Sequence, residues 1–131
     1  MKKVYLNPQR PTKYDGAHFI VYLNAQPAQY REDENSEPVE GVEYTGTMED
    51  GGTLIECDEW NRNKLINGLI RLRYLQTEED AIKTHQLQVL SEKVGLGELS
   101  EEKIREYTQE WATFEAVRQE AIELVNGWMT E

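Results

Sequence analysis

Glu56, Asp58 and Glu59 crowd one short stretch of the chain, and grouped carboxylates are the raw material of general acid–base catalysis. That chemistry needs two acids in differently tuned environments within a cleft, one kept neutral and one ionised. Acids crowded along a loop stay ionised and hydrated, and Asp58 stands where a helix would need an N-terminal cap. Capping is therefore the preferred reading. The alternative is a small ligand-binding or hydrolase-like domain in which Glu56, Asp58 and Glu59 meet His85 in one pocket. Around the two histidines, His18 and His85, no second histidine, cysteine or carboxylate is expected at a spacing of three or four in a metal-ligand pattern. The single cysteine, Cys57, excludes an internal disulfide and a cysteine-rich zinc site, and reads as a structural thiol in a reducing compartment. Arg71 and Arg73 do not make an anion clamp, because side chains two apart on a helix diverge by about 200°. No Gly-x-Ser-x-Gly elbow, phosphate-cradling loop or dinucleotide fingerprint occurs. The expectation is a protein that is not an enzyme and uses no metal and no cofactor.

The elements that carry these residues must come from a thin core. The chain has 131 residues, 38% hydrophobic and 30% charged, enough for one modest core with a heavily solvated surface. Its net charge of −11 repels phosphate backbones and anionic lipid, which argues against nucleic-acid and membrane partners. The charge is evenly spread, with 10 acids against 5 bases in residues 1–56 and 15 against 9 in residues 57–131. The opening Met1-Lys2-Lys3 runs into Asn7 and Pro8 instead of an apolar stretch, so no signal peptide is expected. No run approaches the roughly 20 apolar residues of a spanning helix. A cytoplasmic protein is the expectation.

Residues 1–56 read as β-rich. Val4-Tyr5-Leu6 is a short edge strand stopped by Pro8 and Pro11, and Phe19-Ile20-Val21-Tyr22-Leu23 is a strand covered on both faces. Residues 24–41, with Pro27, Pro38 and the acids Glu32, Asp33, Glu34 and Glu37, read as a poorly ordered loop. Beyond it, Asp50-Gly51-Gly52 supplies positive φ angles for a hairpin over residues 42–56.

At Asp58 the hydrophobic period changes from two to 3.6. Residues 57–131 read as three helices: about 59–75 with Leu65, Ile66, Leu69, Ile70, Leu72 and Leu75, about 78–94 capped by Thr77 with Ile82, His85, Val89 and Leu90, and about 100–126. Gly95-Leu96-Gly97 ends the second, and Ser100 opens the third, which stops before Gly127. The fold class is therefore α+β, a short antiparallel sheet packed with three helices in one composite domain. On the third helix Ile104, Tyr107, Trp111, Phe114, Ala121, Val125 and Trp128 form one stripe, broken by Arg118. About 39 Å of helix is more than a thin core covers. Its inner part should be core and its end, Ala121, Val125 and Trp128, a partner-binding face.

Three segments carry a resemblance. They are Asp50-Gly51-Gly52-Thr53-Leu54-Ile55-Glu56, then Leu69-Ile70-Arg71-Leu72-Arg73-Tyr74, then the acidic step Glu78-Glu79-Asp80 into Ala81-Ile82. With Glu106-Tyr107 and Trp111-Ala112-Thr113-Phe114-Glu115 they resemble the carboxy-terminal part of small proteins encoded among prophage tail genes of gut bacteria. These are loosely similar to tail-fibre assembly proteins. The resemblance spans about residues 44–125 and brings no catalytic residues. It implies an accessory role in tail or fibre assembly, with a tail or fibre component or a second copy of the chain as partner, and incorporation in a phage particle as a further location.

Overall fold

The chain was described from a computed structural model that covers residues 1–93 and 99–130. The expected helix stop at Gly95-Leu96-Gly97 lies outside the described residues. The architecture is α+β, with two small antiparallel sheets in the first half and three helices in the second. The chain divides into two units, Met1–Leu65 and Ile66–Glu131. The division falls inside a helix, later than the change of period at residue 57.

In the first unit the strands are β1 (Lys2–Tyr5), β2 (Thr12–Lys13), β3 (His18–Tyr22), β4 (Gln26–Tyr30), β5 (Val39–Thr45) and β6 (Gly52–Glu56). They form two sheets, ordered β1-β5-β4 and β2-β3-β6. β1 lies at an edge, as its prolines require. β3 is central, and its side chains alternate: Phe19 and Val21 are buried, whereas His18, Ile20 and Tyr22 are half-buried. It is thus closed on one face and only partly covered on the other, where Ile20 lies opposite the half-buried Leu54. The continuous apolar run suggested cover on both faces.

Two expectations are corrected here. Residues 26–30 are not a poorly ordered loop but the strand β4, paired with β5 from Gln26↔Glu43 to Tyr30↔Val39. Pro27 is tolerated because β4 has β5 on one side only, so the missing N–H can face outward. Only residues 31–38 connect the two strands, and there Asp33 Oδ1 accepts from Asn35 N (2.8 Å) and Ser36 Oγ (3.0 Å) to close an Asx-type turn.

The second correction concerns residues 42–56, which do not form a hairpin. The turn chemistry is as expected: Gly51 has φ +80°, its N–H donates to Met48 O, and Asp50 Oδ1 accepts from Gly52 N at 2.9 Å. Beyond the turn the strands part. β5 is the middle strand of its sheet, with both edges filled by β1 and β4, so β6 has no edge to join and pairs with β3 instead. Glycine allows the crossing, since a Cβ on Gly46 would stand 2.2 Å from Gly52 O.

Three tyrosines from both sheets fill the space beside this turn. Tyr5, Tyr22 and Tyr44 pack with ring centroids 5.6–6.0 Å apart. Tyr5 OH donates to Asp50 O (2.6 Å) and Tyr22 OH to Asp50 Oδ2 (3.0 Å), while Tyr44 OH accepts from Gln9 N (3.0 Å). Each ring therefore buries apolar area and keeps its hydroxyl bonded.

The helices are α1 (Arg62–Arg71), α2 (Gln76–Lys93) and α3 (Glu101–Met129). α1 is shorter than its apolar pattern suggests at both ends. Asn61, not Asp58, caps it, Oδ1 accepting from Lys64 N at 3.1 Å. At the other end Arg71 bonds Tyr74 O (3.1 Å) and turns the chain, leaving Leu72 and Leu75 exposed. α2 starts one residue before Thr77, and its cap is the Glu78 carboxylate accepting from Leu75 N at 2.9 Å. Ser100 caps α3 as expected, accepting from Lys103 N. α3 then runs through Gly127, where a Cβ would meet nothing within 4 Å, so glycine here marks no stop. The core of the helical unit contains Ile66, Leu69, Ile70, Ile82, Val89, Phe114, Ala121 and Val125.

Candidate functional site

Following β6, Cys57 is buried, and its Sγ–H donates to Glu59 O at 3.0 Å. Burial pushes the thiol pKa up, so the sulfur is kept as thiol rather than thiolate. Asp58 and Glu59 both turn to a single cation, Lys64 Nζ, at 2.9 and 2.8 Å. Hydrogen bonds to Glu59 and then Asp58 raise the lysine pKa, and the lysine in turn holds Asp58 below the usual carboxylate range. The result is an exposed ion triad around an ammonium. Glu56 is exposed at the end of β6, opposite His18 in the register. Trp60, 43% exposed, lies tilted over buried Phe19 with 6.1 Å between centroids.

His85 belongs to the helical unit and is committed there. Its Nδ1 is 2.7 Å from Glu110 Oε1, and its ring stacks on Tyr107 at 4.0 Å with 7° between planes. Lys103 Nζ also stands 5.5 Å from the Tyr107 ring centre. His18 is treated likewise in its own unit, with Nδ1 3.0 Å from Asp15 Oδ1. Asp15 is held low first by the Ala17 N–H and then by His18. Asp15 is thus a carboxylate three residues from His18, which corrects the expectation that none stands at that spacing around either histidine. Asp58 and Glu59 have a side-chain partner in the first unit and His85 has partners in the second. Among the described residues no three His, Cys, Asp or Glu side chains gather to hold a metal ion.

Two of the three residues expected to form a partner face on α3 are buried in the chain itself. Ala121 and Val125 are buried, at 4% and 0% exposure, so their side chains serve the chain's own interior. Trp128 is half-buried. Of the inner stripe, Phe114 is buried to 1% exposure, against Tyr74 and Trp111, while Ile104, Tyr107 and Trp111 are half-buried. Burial along the stripe is therefore mixed: Phe114, Ala121 and Val125 are closed, whereas Ile104, Tyr107, Trp111 and Trp128 are partly open.

The surface that sequence reasoning missed lies on α2. Leu87 and Leu90 are 65% and 48% exposed, although Leu90 fitted the helical period. At 100° per residue they lie about 60° apart, on one strip, while Ile82 and Val89 point inward. The run Thr84–Ser91 around them has no Asp, Glu, Lys or Arg. Depletion of charge around apolar side chains is how the centre of a protein interface differs from the remaining surface. No helix among the described residues is long and apolar enough to cross a membrane.

No family model matches the chain, and neither the curated proteins nor the solved structures hold a significant match to it.

Proposed function

We propose that the chain is a non-enzymatic binding protein whose α2 face, centred on Leu87 and Leu90, docks a component of a phage tail or tail fibre during assembly. The observation that carries the binding role is the exposure of these two leucines within a charge-free run of an otherwise highly charged chain. Two exposed leucines on one helical strip are costly to leave in water and serve as anchors for an apolar groove or helix. The phage setting rests on the resemblance over residues 44–125 and on its Leu69–Tyr74 and Trp111–Glu115 segments. The net charge of −11 favours a partner surface with basic residues around an apolar centre. In this reading the protein acts in the cytoplasm and reaches the particle with its partner.

The test is a paired substitution, Leu87→Ser with Leu90→Ser, made in a chain co-expressed with the tail and fibre proteins of the same genome. Wild type should co-purify with one of them, and the double variant should lose that complex. Its melting should stay within about 0.5 kcal/mol of wild type, as for exposed positions in general. A complex that survives both substitutions removes α2 as the docking face. Self-association by light scattering, with no tail or fibre component bound, would replace the assembly role with a homo-oligomer.

A further inference from the structure

We draw no further inference here: the strongest candidate, the exposed Leu87 and Leu90 face of α2, already belongs to the proposed binding role, and nothing in the structure shows what covers it.

Discussion

The two units organise their polar interiors by different means. In the strand unit the polar groups beside the core are neutral: three tyrosine hydroxyls and the backbone of the Asp50–Gly52 turn, with one carboxylate accepting from Tyr22 and Gly52. In the helical unit they are ionic. Glu79, 7% exposed, is bonded by Arg71 and by Lys83 (2.6 Å), and Arg71 in turn fixes the α1–α2 corner through Tyr74 O. Neutral hydrogen bonds hold through the acid range and yield to strong alkali, whereas a carboxylate clamp yields to acid. The Glu79 clamp of the helical unit and the Tyr22 network of the strand unit thus respond to opposite ends of the pH range.

The largest effect should come from the helical core. Phe114→Ala removes a ring that touches Tyr74 and Trp111 and should cost about 3–5 kcal/mol, read from urea unfolding by circular dichroism at 222 nm. Trp111→Ala should cost less, because that side chain is only half-buried. The reverse order would contradict the burial assigned to the stripe.

Next is the ion clamp. Burial pushes the Glu79 carboxyl up, but bonds from Lys83 and Arg71 outweigh it and leave the pKa below the usual value. A depressed folded value stabilises at pH above the unfolded one, and that contribution is lost as pH falls through the folded value. Glu79→Gln should cost about 3 kcal/mol at pH 7, since it leaves Arg71 without its carboxylate. The gap between wild type and variant should shrink below about pH 4. A gap independent of pH would show that the clamp acts by shape and not by charge.

Smaller again is the tyrosine network. Burial, then the hydrogen bond to Asp50, pushes Tyr22 up to about 12. A raised folded value stabilises below the unfolded pKa of about 10 and is lost as pH rises through the folded one. Tyr22→Phe should cost about 1 kcal/mol at pH 7 and remove the latest-titrating tyrosinate from absorbance at 295 nm. Ordinary titration of all seven tyrosines would break the contrast between the units.

The fold class was legible because period and turn chemistry are local. Ser100 announced α3, and Gly51 announced a turn with positive φ. Strand partners were not legible, since which edge β6 joins depends on β1 and β4 having already filled both edges of β5. β4 was hidden because Pro27 and the nearby acids resemble a loop until an outward edge is available to them. At the candidate site the acids were visible but their partner was not: Lys64 gathers Asp58 and Glu59 only once Asn61 has started α1. The α2 leucines went unrecognised because an apolar residue in or near helical phase is assigned to the core, and only packing shows which phase faces inward. Ala121, Val125 and Leu90 were misassigned in opposite directions for that same reason.

The sheet edges have a consequence for how this protein behaves at high concentration. An open strand edge invites strands from other molecules, the route by which β-proteins form fibrils. Here each of the four edges is blunted differently: β1 carries the exposed Lys2 and Lys3, β4 carries Pro27, β2 is two residues long, and β6 has buried Gly52, Thr53 and Ile55. The strand edges of the folded chain therefore offer a second copy little template for pairing.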